Sequence, residues 1–423
     1  MIGMEELAIN GGKKVKESWY GFGRRFDNEE LEQLKQALMQ NTLFYWNGKK
    51  VKNFCKKFSE IYGVNYCMAT SSGTAAVHCA LGALEIAPGD EVITTPITDM
   101  GTVIGILYQN AVPVFADVDP HTYNIDPKQI ESKITEKTKA IIVVHLSGNP
   151  ADIDPILKIA KKYNLFIIED CAQSYMSYYR DKLVGTFGDI GCFSTNDNKH
   201  ITTGEGGLCI TNNETLYHKL LKFTDKNYNR ISSVPNAIRQ IKHLAPNYRM
   251  TELQAAVGIA QLDKIENICN KRNKYGTLLT EGIKNIKGIY PHKVIEGSSC
   301  SYYFYMFRIN EEVIGVGRDD FCKALAAEGI PNERGFLPAC VYESELFLNK
   351  SVYPNSACPF NCKYHNEPIN YAKGSCPIAE KVLSTGIKLP VSEFFTKEDL
   401  EDTIKGIKKV ADYYTAKIKE DIS

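Results

Sequence analysis

A lysine and an aspartate are placed where they could carry out amine chemistry. Lys199 lies on a polar segment that closes at Gly204-Glu205-Gly206-Gly207, and Asp170 ends the apolar run that begins at Leu165. A lysine amine can form a Schiff base with the aldehyde of pyridoxal phosphate (PLP). A carboxylate beside the pyridine nitrogen keeps that nitrogen protonated, so that the ring can accept electrons. Either residue alone would be ordinary, but the pair predicts a PLP site with Lys199 and Asp170 as catalytic residues.

A second segment has the composition of a phosphate site. Ser71-Ser72-Gly73-Thr74 follows a predicted strand and opens a predicted helix. The free N–H groups and the dipole at a helix N-terminus bind phosphate, and glycine lets the backbone approach closely. Ordinary helix capping would select the same residues. Beside Asp170 and Lys199, we predict that Ser72, Gly73 and Thr74 hold the cofactor phosphate.

Predicted strands and helices alternate over most of the first 265 residues. Near-continuous apolar runs, such as 139–145 and 165–170, are typical of parallel strands that are buried on both faces. The alternation predicts an α/β fold with a large, mostly parallel sheet. Further predicted strands are 66–70, 91–95 and 113–118, and predicted helices are 28–40, 49–62, 155–163, 251–286, 318–328 and 397–418.

The length of 423 residues predicts two domains. We expect an N-terminal arm over 1–27, a large PLP-binding α/β domain over 28–265 and a smaller α+β domain over 266–423. The Pro-, Cys- and Asn-rich segment 338–376 is predicted to be irregular, and residues 345–375 within it are predicted to form a long ordered loop.

The composition narrows the possible partners and locations. Lys+Arg and Asp+Glu both number 50, so the balance does not favour a nucleic-acid partner. No apolar stretch approaches the length of about 20 residues that a membrane helix needs. The first sixteen residues lack an apolar signal core, so we expect a cytoplasmic protein without a membrane partner.

The 13 cysteines are predicted to be reduced, and several lie inside apolar segments. One group, Cys358, Cys362 and Cys376 with His365, has the donor types of a zinc site. Its spacing does not match a known ligand pattern and lacks a paired CxxC. We therefore predict free thiols here and no metal.

An ordered set of motifs resembles the DegT/DnrJ/EryC1/StrS family of PLP-dependent sugar aminotransferases. The resemblance covers nearly the whole chain and implies the aspartate-aminotransferase (type I) fold. The matching segments are 71–76, 88–93, 114–118, 145–149, 169–173, 188–194, 204–207, 247–250 and 254–256.

The resemblance also implies roles for individual residues. Lys199 matches the lysine that forms the Schiff base, and Asp170 matches the aspartate that pairs with the pyridinium nitrogen. Gln173 matches a residue near the ring hydroxyl of the cofactor. Gly73, Thr74 and Ser194 match phosphate contacts. Asn247 matches an asparagine that reaches the phosphate of the neighbouring subunit, which implies a homodimer with shared sites.

Two positions depart from the family pattern. The family usually follows Pro-x-x-Thr with an aromatic residue that stacks on the pyridine ring, whereas Asp99 and Met100 follow Pro96-Ile97-Thr98 here. Met100 could lie against the ring, and Asp99 could face the substrate. In the smaller domain, Gly335-Phe336-Leu337-Pro338 replaces the usual His-Tyr-x-Pro, so a contact with substrate is altered.

The leading interpretation is an aminotransferase that moves an amino group from glutamate or glutamine to a keto sugar or keto cyclitol. A dehydratase branch of the family replaces the lysine by histidine, and His200 follows Lys199 directly. The Lys-x4-Gly-Glu-Gly-Gly spacing favours Lys199 at the active position. A keto-deoxysugar dehydratase and a non-catalytic PLP-fold regulator remain alternatives. A nucleotide-dependent oxidoreductase is disfavoured because no GxGxxG follows the first strand.

Overall fold

The structure is a computed structural model that describes residues 5–231, 238 and 241–422, with side chains up to 418. The helices are α1 (Asn28–Met39), α2 (Lys50–Tyr62), α3 (Gly73–Ala83), α4 (Met100–Tyr108), α5 (Pro127–Ile130), α6 (Ile153–Tyr163), α7 (Glu214–Thr224), α8 (Glu252–Ile283), α9 (Glu311–Ile314), α10 (Arg318–Ala327), α11 (Glu345–Leu348), α12 (Pro377–Thr385) and α13 (Lys397–Ile422). The strands are β1 (Tyr66–Thr70), β2 (Glu91–Thr94), β3 (Val112–Phe115), β4 (Thr138–Val144), β5 (Phe166–Asp170), β6 (Tyr178–Tyr179), β7 (Lys182–Leu183), β8 (Ile190–Ser194), β9 (Gly207–Thr211), β10 (Ile289–Pro291), β11 (Phe304–Ile309) and β12 (Gly386–Pro390).

The largest sheet has seven strands in the order β1-β9-β8-β5-β4-β2-β3. Pairing is parallel from β8 through β5, β4 and β2 to β3. β9 pairs antiparallel with both β1 and β8, so it alone in this sheet runs in the opposite direction. The predicted large, mostly parallel sheet is confirmed.

Helices cover both faces of this sheet. In β4, Ala140 and Ile142 pack into the core that α3 and α4 close, whereas Ile141 and Val143 pack into the core of α2, α6 and α8. Because successive side chains of a strand point to opposite faces, two cores require apolar residues at every position. This explains the continuous apolar run in the sequence.

A second, antiparallel sheet of β10, β11 and β12 lies beyond the long helix α8. Helix α8 begins at a capping box between Thr251 and Gln254 and contains 32 residues. It packs against α1 and α2, and also against α13. The predicted division between residues 265 and 266 stays a prediction, and it would fall inside this helix.

The N-terminal arm is packed against the C-terminal part of the chain. Lys16 is buried, and its Nζ lies 2.8 Å from Asp399 and 3.1 Å from Asp402. Glu328 accepts hydrogen bonds from the backbone N–H groups of Ala8 and Val15. These contacts hold the arm in one position although it has little regular structure.

Sequence patterns missed several short elements, including α4, α7, α12, β8 and β9. In α4, Thr102, Val103, Gly105, Ile106 and Leu107 are all buried. A helix that is apolar on most sides lacks the polar stripe by which periodicity is recognised.

The thirteen cysteines are free. In the group of Cys358, Cys362, Cys376 and His365, which has the donor types of a zinc site, Nε2 of His365 lies 3.0 Å from Glu91. The Cys376 sulfur lies instead 3.9 Å from the carbonyl of Phe115. In the part of the chain that the structure describes, Cys358, Cys362, Cys376 and His365 do not bring three ligand atoms together. Among the described helices, none has the length and apolar character required to cross a bilayer.

Candidate active site

The predicted site residues lie at one edge of the seven-stranded sheet. The carboxyl ends of parallel strands meet at the same edge, and ligands of α/β proteins bind there. Thr70 at the end of β1 and Ser194 at the end of β8 both pair with Gly207 of β9. Asp170 ends the next strand, β5, where it pairs with Cys192.

The start of α3 forms a cradle for an anion. Ser72 caps the helix, and its Oγ accepts a hydrogen bond of 3.0 Å from the N–H of Ala75. Gly73 and Thr74 lie in the first turn, where backbone N–H groups have no carbonyl partner within the helix. A Cβ atom added to Gly73 would lie 2.6 Å from Cβ of Ser194, so any side chain would fill this space. Capping and anion binding are thus compatible here, because each uses different N–H groups.

The N-terminus of α4 lies beside the same cradle. A Cβ atom on Gly101 would lie 2.6 Å from Oγ1 of Thr74, so the glycine permits this close approach. Asp99 caps α4, and its Oδ1 accepts a hydrogen bond of 2.8 Å from the N–H of Gly101. The Asp99 side chain is exposed. The residue that replaces the family's aromatic side chain is therefore a helix cap with its carboxylate at the open side of the site.

Asp170 is buried, with 6% of its surface exposed. Its Oδ2 accepts a hydrogen bond of 2.7 Å from the Thr102 hydroxyl, and its Oδ1 accepts one of 3.1 Å from the N–H of Ala172. Burial raises the pKa of Asp170, while the two hydrogen bonds and the positive charge of Lys199 oppose that rise. A buried carboxylate with two donors is suited to hold a cationic ring nitrogen.

The neighbouring Glu169 points away from the site and fixes the strand end. Three backbone N–H groups of segment 185–188 donate to it at 2.7 Å, and Nε2 of His145 lies 3.1 Å away. Burial alone would raise the pKa of Glu169, but these hydrogen bonds lower it below the usual value. Nδ1 of His145 accepts from the N–H of Ala151, so its Nε2 carries the proton. The oxygens of Glu169 and the ring nitrogens of His145 thus already have hydrogen-bond partners.

Lys199 lies on the loop between β8 and β9, and its side chain is half-buried. Its Nζ is 4.4 Å from the centre of the Tyr303 ring. Burial lowers the pKa of Lys199, although the carboxylates of Asp170 and Asp99 oppose this effect. The amine is thus easier to deprotonate than an ordinary lysine amine.

His200, the next residue, points elsewhere. It is fully buried, and its Nε2 lies 3.1 Å from the carbonyl of Ser301. Burial holds the pKa of His200 well below its usual value. Of the two adjacent residues, the lysine is the one whose charge interacts with Asp170 and Asp99.

Gln173 is buried close to the end of β5. Its Oε1 accepts a hydrogen bond of 2.7 Å from the N–H of Ser147. This contact leaves the amide NH2 group as the part of the side chain that can donate to a ligand.

Asn247 lies on a segment that runs beside the phosphate cradle. The N–H of Ser71 donates to the carbonyl of Tyr248 at 2.7 Å. The Asn247 side chain is exposed, and its Oδ1 accepts a hydrogen bond of 2.6 Å from Nε of Arg249. The backbone beside Asn247 therefore lies near the turn that contains Ser71, while the Asn247 side chain is at the surface.

Sequence reasoning missed three residues that shape the site. The hydroxyl of Thr98 lies 2.6 Å from that of Thr102, which donates a hydrogen bond to Asp170. The spacing of four residues between the two threonines could have indicated that they share one side of a helical turn. Tyr303, under the lysine amine, comes from the segment just before β11. Nothing in the local sequence pointed to Tyr303, because only folding brings it to Lys199.

These groups fit PLP. The cradle offers backbone donors for a phosphate, Asp170 offers a buried carboxylate for the pyridine nitrogen, and Lys199 offers an amine of lowered pKa for the aldehyde. The amide NH2 of Gln173 can donate to the ring hydroxyl. Each group has the charge or hydrogen-bonding role that its cofactor atom requires.

A model of the DegT/DnrJ/EryC1/StrS aminotransferase family matches residues 24–370. The chain belongs to this family. It is a PLP-dependent aminotransferase with the type I fold, as the motifs predicted.

Named relatives and a solved structure agree with this assignment. The chain is 40% identical to the GDP-perosamine synthase of Escherichia coli O157:H7, over 66% of this chain and 74% of that protein. It is 31% identical to the L-glutamine:2-deoxy-scyllo-inosose aminotransferase of Micromonospora echinospora, over 96% of this chain and 98% of the relative. An aminotransferase from Psychrobacter cryohalolentis superposes with a TM-score of 0.79 at 29% identity, covering 92% of this chain and 98% of that structure.

Proposed function

We propose that this aminotransferase moves an amino group from glutamine or glutamate to the ketone carbon of a sugar or cyclitol, with Lys199 bound to the cofactor. The arrangement that carries the proposal is the half-buried Lys199 amine near the buried Asp170 carboxylate, beside the cradle formed by Gly73 and Ser194. The substrate class follows the relatives' names, of which one is a GDP-perosamine synthase and another a glutamine-dependent inosose aminotransferase.

Each residue has a separate task in the proposed reaction. When bound, PLP supplies an aldehyde for amines and a ring that accepts electrons. Nζ of Lys199 accepts the proton that leaves Cα of the amino donor, and its lowered pKa keeps the amine neutral enough to do so. Asp170 holds a positive charge opposite its carboxylate throughout. The same groups, working in the reverse direction, return a proton to the former ketone carbon.

The position of His200 supports amination over dehydration. The dehydratase branch uses a histidine in place of the lysine, but His200 is buried and directs Nε2 to a backbone carbonyl. The Lys199 amine is instead half-buried and has a lowered pKa, which suits it to accept a proton.

Reduction with borohydride tests the role of Lys199. Purified protein loaded with PLP should be yellow, and reduction followed by peptide mapping should find a pyridoxyl group on Lys199. The Lys199→Ala variant should lose the label. A label on another lysine of the unsubstituted protein, or no label, would overturn the assignment.

Product analysis tests the reaction and substrate. The loaded enzyme is incubated with glutamine or glutamate and with either a nucleotide-linked keto sugar or a keto cyclitol. Mass spectrometry should find an amine in place of a ketone in one series. A product that has lost water would establish the dehydratase instead. Bound PLP without turnover of either series would favour the regulatory alternative.

We also propose that the protein is a homodimer in which Asn247 serves the cofactor phosphate of the neighbouring subunit. Two observations support this: its side chain is exposed, and its backbone runs beside the phosphate cradle. Its amide nitrogen is the group able to donate to a phosphate, because Oδ1 already accepts from Arg249.

A further inference from the structure

Arg25, in the N-terminal arm, contacts the loop that carries Lys199 at several points. Its guanidinium donates hydrogen bonds to the backbone carbonyls of Asp197, Lys199 and His200, the last at 3.1 Å. The side chain is partly buried. One side chain thus binds peptide groups on both sides of the lysine.

The backbone of Arg25 is itself held in place by α8. Its carbonyl accepts hydrogen bonds from Nε2 of Gln261 at 3.0 Å and from Nζ of Lys264 at 3.4 Å. Gln261 is buried, and its Oε1 accepts from the N–H of Thr202 at 3.3 Å, near the far end of the same loop. The arm, the long helix and the lysine loop therefore form one hydrogen-bonded unit.

The loop's own hydrogen bonds lie mostly at its two ends, such as the one of 2.9 Å from the N–H of Thr203 to the carbonyl of Thr195. Within it, the N–H of Lys199 donates to the carbonyl of Asn196 at 3.0 Å, while Asp197 and Asn198 are exposed. The direction of a Cα–Cβ bond follows from the orientation of the two peptide planes that flank it. Arg25 holds the carbonyl of the peptide that follows Lys199, and the Asn196 carbonyl holds the N–H of the peptide that precedes it. Together these contacts set the direction in which the lysine side chain leaves the backbone.

We propose that Arg25 is a positioning residue for Lys199: its guanidinium holds the carbonyls of Asp197 and Lys199 so that the lysine amine stays over the Tyr303 ring. The inference rests on the role proposed above for Lys199. A guanidinium has five donors in a planar fork, so it can reach several carbonyls at once. A lysine ammonium is a compact donor group and cannot reproduce this geometry.

Two substitutions separate geometry from charge, and a third is the control. Arg25→Met removes both the charge and the donor geometry, and Arg25→Lys keeps the charge but loses the planar set of guanidinium donors. Arg24→Met removes the neighbouring charge from the same arm, where the side chain is exposed. Amide hydrogen exchange over residues 195–203, measured without cofactor, reports the loop directly. The visible absorbance of PLP-loaded protein, titrated with pH, reports the environment of the lysine-bound cofactor.

We expect amide exchange in the loop to accelerate about tenfold or more in both Arg25 variants, because hydrogen bonds to a charged group are lost. The midpoint of the absorbance titration should move away from the unsubstituted value, and kcat should fall by about tenfold or more because the amine is misplaced. Arg24→Met should match the unsubstituted protein in all three measurements. Wild-type exchange and titration in Arg25→Lys would show that charge alone suffices and would overturn the inference.

Borohydride labelling separates this inference from the proposed function. If the unsubstituted protein is not labelled at Lys199, the proposed function fails, whatever Arg25 does to the loop. If the unsubstituted protein is labelled and Arg25→Met matches it in exchange, titration and kcat, only the positioning role of Arg25 fails.

Discussion

At the scale of single residues, two carboxylates near Lys199 differ in their surroundings. Asp170 is buried and accepts hydrogen bonds from Thr102 and Ala172, whereas Asp99 is exposed and caps α4. A buried carboxylate in a fixed position can stabilise a cation strongly, while an exposed one is screened by water. The two aspartates should therefore have separate roles.

Replacing each aspartate by alanine tests this difference. Asp170→Ala should lower kcat/KM by about a hundredfold or more, since a preorganised electrostatic partner is removed. Asp99→Ala should be mild or should change mainly the use of substrate, measured as KM for the ketone. Loss of cofactor in Asp99→Ala together with full activity in Asp170→Ala would reverse the two assignments.

A substitution at Thr102 tests the ionisation of Asp170. The hydroxyl of Thr102 stabilises the ionised carboxylate, so its removal in Thr102→Val should raise the pKa of Asp170 further. A smaller fraction of Asp170 is then ionised at acidic pH, and the acid limb of the kcat/KM profile should move to higher pH. Thr102→Ser keeps the hydroxyl and should retain the original profile. Coincident profiles for valine and threonine would contradict the proposed contact.

At the scale of elements, the site depends on how closely two helix ends approach each other and the sheet. Gly73 brings the start of α3 against Ser194, and Gly101 brings the start of α4 against Thr74. These approaches put two helix N-termini side by side at the proposed phosphate site, where the dipole of α3 would favour an anion. Glycine is needed at both positions for space, because a residue with a Cβ atom would bring that atom to 2.6 Å from a neighbouring side chain.

Gly73→Ala tests the cradle. The added Cβ must displace Ser194 or the helix end, and such overpacking costs about 1–3 kcal/mol. PLP affinity of the variant, measured by fluorescence titration, should fall by roughly tenfold. Gly317→Ala is the control, because this glycine lies at the N-cap of α10, where a Cβ would meet its nearest neighbour at an ordinary 3.7 Å. Equal PLP affinity in the two variants would contradict the cradle.

At the scale of the whole molecule, residues far apart in the chain complete one site. Arg25 from the arm, Lys199 from the sheet domain and Tyr303 from the segment before β11 meet around the same loop. The exposed side chain of Asn247 lies on the segment beside the cradle and would complete the site of a second subunit. A two-fold dimer would then build two equivalent sites.

Mixing two inactive variants tests the shared site. Lys199→Ala and Asn247→Ala homodimers should each be weak or inactive. Their heterodimer should regain one site with both native residues, because one subunit supplies the lysine and the other supplies the asparagine. Activity should therefore return toward half that of the unsubstituted dimer in the heterodimer fraction, isolated with two affinity tags. Heterodimers no more active than their parents would show that Asn247 acts within its own subunit or serves only its contact with Arg249.

The sequence alone determined the parallel sheet, the cofactor and the family. Apolar runs such as 139–145 and 165–170 are a local consequence of burial on both faces, so they can be recognised without neighbours. The motifs around Asp170, Lys199 and Gly73 are also local, because each puts a reactive group or a phosphate-binding turn directly at the end of a strand.

The tertiary structure decided which other side chains surround those groups. Helix α4 has little polar periodicity because it is buried on most sides, so the contact of Thr102 with Asp170 was not foreseen. Arg25 and Tyr303 lie 174 and 104 residues from Lys199, and no local pattern connects positions so far apart. Their contacts arise only when the arm and the second sheet pack against the lysine loop, because packing, and not sequence spacing, sets the distance between remote residues.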